Sequence, residues 1–410
     1  MRILLWHGYL LAGTGSNVYT QSLAREWSRV GYDVTVVCQE LHPEQFDLAG
    51  ATVVRPDIGN VLPVFVVDRY EGLVPRLLQE LTHEERHAYV EANARALREL
   101  LPADLVFANH VLLGGPVGAA SGARYAVKAH GSELEYSIRG NAELTTWARD
   151  SLRDAAAVFV GSAHIRNVLE EVVGHVERVH EVPPGVDVDE FRPEDRDTAL
   201  AALLGEARRD SPNPNNANER LPDEGNAERL ERWFANDEAT VVYFGKLLYN
   251  KGVHVLFDAL RQVDVRALIV GFGDYRRELE RIAPSRTLFT GPLEHRHLVH
   301  LLPLCDVAVV PSIFPEAFGM VAAEAAAAGC PPLVANHSGL AEVAREVARR
   351  YPPGLGHLAS FTTGDVDSLA QRLEHLLALD DRRELGLAAR RAVVENWSWR
   401  RVAERLLEPL

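Results

Sequence analysis

The chain has 410 residues, more than one ordinary hydrophobic core holds, so two domains are expected. Its 47% hydrophobic and 25% charged residues are those of a globular protein in water. The formal charge of -15 argues against nucleic acid or an anionic bilayer as the main partner, because both are met by basic surfaces. Peripheral membrane contact through a local basic patch stays open, and no apolar run reaches the ~18 residues of a membrane span. Cys38, Cys305 and Cys330 show neither pairing nor metal spacing, which suits a reducing cytoplasm. Of the 43 basic residues only Lys128, Lys246 and Lys251 are lysine, and each falls at the expected end of a strand.

The first strand is expected over Arg2 to Trp6. His7-Gly8 interrupts its apolar run and no cleavage site follows, so a signal peptide is not expected. The loop Gly13-Thr14-Gly15-Ser16 leads into an amphipathic helix over Asn17 to Val30, then a strand over Val34 to Val37. This is a β-loop-α-β unit whose glycines match a dinucleotide fingerprint only in part, since Val18 stands at the third glycine position. A strand is expected over Ala51 to Arg55, irregular chain over Pro56 to Tyr70, and a helix over Val74 to Leu100. The strand Leu105 to Ala108 ends at Asn109-His110, and Tyr125 to Ala129 ends at His130-Gly131. Alternation along that strand puts Lys128 and His130 on one side. A further strand over Ala157 to Val160 and the run Pro184-Gly185-Val186-Asp187 close the first domain.

From Arg196 to Asp237 the chain turns polar around Ser211-Pro212-Asn213-Pro214. A surface insertion without a core, mobile at its tip, is expected there. Strands follow over Thr240 to Phe244, Arg266 to Val270, Thr287 to Thr290 and Asp306 to Val310, alternating with helices, so a second parallel sheet is expected. After the last of these comes Phe314-Pro315-Glu316-Ala317-Phe318-Gly319-Met320-Val321, opening a helix of small apolar residues in which Glu324 is the lone polar side chain. A carboxylate on such a face needs a partner. The free N–H groups of a first turn and the favourable end of the helix dipole bind anions. Glu316, the helix start and Glu324 lie in line to hold a sugar, a diphosphate and a ribose. Either glutamate alone also reads as an ordinary solvated or ion-paired acid.

The Glu-x7-Glu spacing after Pro311-Ser312-Ile313-Phe314-Pro315, with Gly329-Cys330-Pro331 and Ser338-Gly339-Leu340-Ala341-Glu342 behind it, resembles the donor-site signature of retaining glycosyltransferase family 4. Similar to that family too are the Gly13 to Ser16 loop, His130-Gly131, and Gly245-Lys246 to Lys251-Gly252, where arginine is commoner than Lys246. Gly271-Phe272-Gly273-Asp274, Gly291-Pro292-Leu293 and Asn396-Trp397-Ser398-Trp399 belong with them. Pro184 departs from the asparagine usual in the interdomain motif. The likeness spans nearly the whole chain outside 196–237. It implies the α/β GT-B fold: two Rossmann-like domains with parallel sheets facing a central cleft. The first would cover 1–190, joined by a C-terminal helix over 397–410, and the donor domain 191–396.

By that resemblance His130 lies near the anomeric carbon, while Lys251 and Glu316 act on diphosphate and donor sugar. Gly15, Lys246, Gly271, Leu293, the main chain of Phe318, Gly319, Met320 and Val321, and the Glu324 carboxylate complete the donor site. Acceptor-side candidates are Ser16, Tyr19, Asn109, His110 and Lys128. Departure of a nucleoside diphosphate concentrates negative charge that something positive must meet in the transition state. The sequence offers no metal-ligating cluster, so Lys246, Lys251 and the helix start are expected to do this, without a metal or other cofactor. The expected activity is retaining transfer from a nucleotide sugar, a UDP-sugar first, to a hydroxyl acceptor. The alternatives are a nucleotide-sugar epimerase or phosphorylase on the same fold, an NAD-dependent Rossmann enzyme, and an inactive sugar-binding module. Neither the acceptor nor the oligomeric state is legible.

Overall fold

The structure is a computed structural model and describes residues 1–11, 13, 15–67, 70 and 72–410. It divides into two units, Met1–Gly185 with Trp399–Leu410, and Val186–Ser398. The divisions fall at 185/186 and 398/399 for local reasons. Val186 N–H donates to Trp397 O at 2.7 Å, and Trp397 packs edge-on against Phe318 at 5.2 Å, which keeps both in the second unit. Gly185 lies so close to Trp399 that a Cβ would come within 2.4 Å of the indole.

The strands of the first unit are β1 (Arg2–Trp6), β2 (Asp33–Val37), β3 (Thr52–Val54), β4 (Val61–Val64), β5 (Val74–Leu77), β6 (Leu105–Asn109), β7 (Tyr125–Lys128), β8 (Ala157–Val160) and β9 (Val179–Glu181). All but β4 and β5 form one sheet in the order β3-β2-β1-β6-β7-β8-β9, with parallel pairings throughout. Alternate residues feed two separate cores: Leu4, Trp6, Val106 and Ala108 on one face, Ile3, Leu5, Leu105 and Phe107 on the other. A parallel sheet covered on both faces explains why these strands read as unbroken apolar runs. The C-terminal helix Trp399–Leu407 places Trp399, Val402, Ala403 and Leu406 along one stripe of the second core. Trp27 Nε1 donates to Ala403 O at 3.1 Å and ties that helix to Gly15–Arg29.

Two expectations for this unit change. Pro56 to Tyr70, read as irregular, contains β4, paired in register with β5; Asp68 and Arg69 lie outside the described residues. The helix expected from Val74 begins only at His83. Pro75 has no N–H to give a helix and is tolerated in a two-stranded edge. A reciprocal capping box between Thr82 and Glu85 then sets the helix start.

The second unit contains β10 (Thr240–Phe244), β11 (Arg266–Val270), β12 (Thr287–Gly291), β13 (Val307–Val310), β14 (Pro332–Ala335) and β15 (Ser360–Phe361), all parallel, in the order β12-β11-β10-β13-β14-β15. Residues 196–237 are not a coreless insertion. They hold the helices Arg196–Ala207 and Asn226–Trp233, whose Ala199, Leu203, Leu204 and Leu230 enter the main core together with Phe234. The four-residue spacing of Ala199, Leu203 and Ala207 is a helical stripe that the average polarity of the stretch conceals. The expected mobile tip is tied down: Asn213 Nδ2 donates to Asn218 O and Pro222 O, and its Oδ1 accepts the Asn218 N–H. Nearby, Arg276 holds the buried Asp223 carboxylate with both nitrogens of its fork, at 2.9 and 2.6 Å.

Candidate active site

In the second unit the chain builds outward from β10 to β12 and then returns to place β13 on the other side of β10. Ligand crevices of open α/β sheets form at such reversals, beyond the carboxyl ends of the strands. The loops leaving β10 and β13 meet there. Lys251 Nζ, from the first loop, lies 2.5 Å from Glu316 Oε1, from the second, and both side chains are half-buried. Gly252 makes the approach possible: its φ is +69°, and a Cβ would stand 2.0 Å from Pro311 O. The loop leaving β11 is pressed against the one leaving β10, where a Cβ on Gly271 would come within 1.8 Å of Gly245 O.

Behind Glu316 stands a clamp that sequence reasoning passed over. Ser338 Oγ accepts the Glu316 N–H at 2.9 Å, and the Gly339 N–H donates to Glu316 O at 3.0 Å. His337 braces the hydroxyl through Nδ1 at 2.9 Å and reaches Ser312 O through Nε2 at 2.7 Å. Ser338 holds a φ of +47°, uncommon for a residue other than glycine, and its hydroxyl is what the position gains. The sequence marks Ser338 and Gly339 together as part of a motif, without a role for either.

The helix Met320–Ala327 opens at Gly319 with φ +112° and no side-chain cap, so its first-turn amides are left for a ligand. Phe318 turns its ring into the core against Trp397 and offers only main chain. Glu324, one turn in, is half-buried with no hydrogen bond or ion pair among the described residues. Burial pushes its pKa up to about 7, with His295 pulling it back. That histidine is engaged with Glu190 at 2.7 Å. Among the described residues no arginine pairs with Glu324; Arg390 spends its fork on the carbonyls of Val188, Phe191 and Ala327. Lys246 is exposed in the loop after β10, and Leu293 is buried beyond β12.

The first unit repeats the reversal between β1 and β6, and its crevice is lined by imidazoles. His7 follows β1, His110 follows β6 and His130 follows β7. The ring of His110 lies 5.9 Å from that of His7 and 4.5 Å from that of His130. Burial lowers the pKa of His7 to about 4, and burial with neighbouring positive groups holds His110 and His130 well below the usual imidazole value. Glu133, given no role in the sequence reading, is fully buried and accepts the N–H groups of His130 (2.9 Å) and Leu112 (3.1 Å). A glutamate three residues into a helix is the capping pattern that could have found it.

Most of the acceptor-side candidates lie inside the first unit. Ser16 is half-buried in the first turn of its helix, beside the exposed Gly15, but Tyr19, Asn109, His110 and Lys128 are all buried. Lys128 is 2% exposed and donates to Val182 O at 2.7 Å; burial, with help from Arg405, lowers its pKa to about 7. Strand alternation did place Lys128 and His130 on one side, but β7 is an interior strand with both faces covered, so that side is inside. Thr14, part of the expected glycine loop, lies outside the described residues.

Residues 14–185 match the family model for a glycosyl transferase 4-like domain, and residues 227–392 that for glycosyl transferases group 1. The chain is a family 4 glycosyltransferase of GT-B architecture. The GDP-mannose-dependent alpha-(1-6)-phosphatidylinositol monomannoside mannosyltransferase of Mycolicibacterium smegmatis is 28% identical to it over 320 residues, 72% of each chain. The D-inositol 3-phosphate glycosyltransferase of Xylanimonas cellulosilytica is 32% identical over 244 residues, 57% of this chain and 51% of the relative. Among solved structures, Anabaena HepE in complex with UDP and glucose superposes with a TM-score of 0.68 at 18% identity, covering 99% of this glycosyltransferase and 98% of HepE. No helix among the described residues is long and apolar enough to cross a membrane.

Proposed function

We propose that this glycosyltransferase moves a sugar, with retention at the anomeric carbon and without a metal, from a nucleoside diphosphate to an acceptor hydroxyl. The observation that carries the reading is the Lys251–Glu316 pair across the crevice of the second unit, beside an uncapped helix start and the unpartnered Glu324. The bond from the anomeric carbon to the diphosphate breaks, the bond to the acceptor oxygen forms, and the acceptor's proton leaves with the diphosphate. Charge grows on the departing phosphate as this happens. Lys251, the exposed Lys246 and the first-turn amides oppose it in a partly water-excluded site, where such stabilisation is strongest. Diphosphate draws Lys251 from Glu316, whose oxygens then accept hydrogen bonds from the donor sugar. Glu324 takes the ribose hydroxyls, which answers its lack of a partner. In the first unit His130 receives a substrate hydroxyl.

Metal independence is the expectation from the sequence, in which Lys246, Lys251 and the helix start supply the positive charge. A UDP-sugar is the donor expected from the sequence. The similarity to GDP-mannose-dependent mannosyltransferases favours GDP-mannose as a second reading. Incubation with UDP-, GDP- and ADP-sugars in EDTA, followed by release of free nucleotide, decides both points. Release from one donor class with EDTA present is expected. Strict dependence on added divalent metal overturns the metal-free reading, and NMR of the product's anomeric proton checks retention.

A further inference from the structure

We propose that Asn109 is a positioning residue that fixes His130 as the imidazole protonated on Nε2, leaving the Nδ1 lone pair to take a hydrogen bond from a substrate hydroxyl. The use of that lone pair rests on the function proposed above; the tautomer does not.

The polarity follows from partners that have no freedom. Thr20 Oγ1 spends its single proton on Ser16 O, 2.8 Å away, and Trp6 O has no proton to give. Both lie against Asn109 Nδ2, at 3.2 and 3.4 Å. The amide must therefore turn its NH2 toward them, whichever way it was first drawn. Its Oδ1 then faces His130 Nε2 at 2.9 Å, and only an N–H can complete that contact. Asn109 is completely buried at the end of β6, so no water takes its place.

A charged imidazole would satisfy the same bond, but its surroundings oppose the charge. Burial acts first, then Lys128 and His7. The remaining neighbours do not compensate. His110 is itself neutral, Tyr19 stands perpendicular to the ring at 5.6 Å with its phenol proton retained, and Glu133 is committed to backbone N–H groups. His130 is half-buried and stands at the N-cap of the short helix Gly131–Glu133. The chain Ser16–Thr20–Asn109–His130 thus links the helix after β1 to the ends of β6 and β7 and leaves the other ring nitrogen an acceptor.

Long-range proton–nitrogen NMR of the full chain with labelled histidine reads the tautomer directly. The wild type is expected to show neutral, Nε2-protonated His130 near neutral pH. In N109L the pattern should become mixed or reversed, and turnover should fall on the order of 10- to 100-fold, the cost typical of losing a bond that orients an imidazole. N109D, close in shape, should hold a charged imidazolium and move the activity profile to higher pH. A wild-type Nδ1-protonated ring, or an N109L spectrum identical to wild type, overturns the proposal; the wild-type spectrum decides even if N109L does not fold. If the tautomer shifts while turnover does not, the positioning role stands and the assignment of His130 to a substrate hydroxyl falls.

Discussion

The two units carry the same crevice with opposite furnishing. Each sheet reverses beside its first strand, but the first unit lines the reversal with neutral, buried imidazoles and the second with half-exposed charges. Burial in the first removes charge from every ring, leaving directional hydrogen bonds suited to an uncharged alcohol. Partial exposure in the second keeps Lys251 and Glu316 paired and available, which suits a diphosphate that brings its own charge. Where the fold is repeated, solvent access decides what chemistry each copy can perform.

Breaking the charged crevice should give the largest effects. K251A and E316A are each expected to lower kcat by about two to four orders of magnitude, in the range of lost transition-state electrostatics, with unchanged thermal unfolding. The double variant should cost far less than the sum, because the two groups act as a unit. Additive losses in steady-state kinetics would show that they work separately.

Glu324 sharpens the contrast. E324Q should raise the donor KM about tenfold or more while kcat changes less, which a donor titration reads. Its acid strength also sets a stability slope. With a folded-state pKa near 7 against 4.5 unfolded, the native chain holds the extra proton between these values, so stability falls as pH rises through that window. Calorimetry should find that slope reduced in E324Q.

The Glu316 clamp should matter less than the residue it holds. S338A leaves the Glu316 N–H without its acceptor and keeps the positive φ, so a loss of roughly 5- to 20-fold in kcat/KM is expected from one hydrogen bond of about 1–2 kcal/mol. S338G relieves the backbone and should unfold at a higher temperature than S338A with the same kinetic defect.

In the neutral crevice the smallest effect concerns Lys128. Its depressed folded pKa, near 7 against 10.5 unfolded, means that the unfolded chain binds more protons between these values, so stability rises with pH across that range. K128M should abolish the rise, as measured by denaturant midpoints at a series of pH values.

What the second unit gathers at its crevice, the candidate donor half, was legible because its signals are local. Glu316, Glu324, Lys246, Lys251 and their glycines sit in short runs after apolar strands, and backbone contacts such as Gly271 against Gly245 demand those residues. The acceptor half was not. Lys128 and His130 share a strand face, yet nothing in the run Tyr125 to Ala129 says how deep that strand lies. Asn109 meets Thr20 across 89 residues of sequence and Glu133 meets Leu112 across 21, so no single run spells out these links. Residues 196–237 misled in the other direction, since a few well-spaced leucines outweigh many polar neighbours once they reach a core.

The tail helix Trp399–Leu407 makes the first unit discontinuous, with the whole of 186–398 inserted between Gly185 and Trp399. Those two residues are in van der Waals contact. A scissors-and-paste excision of the insert therefore brings together ends that are already adjacent, whereas stopping translation at Gly185 strips a tryptophan and three aliphatic side chains from the sheet's cover. Anyone dissecting this enzyme into halves should splice the first and clip out the second.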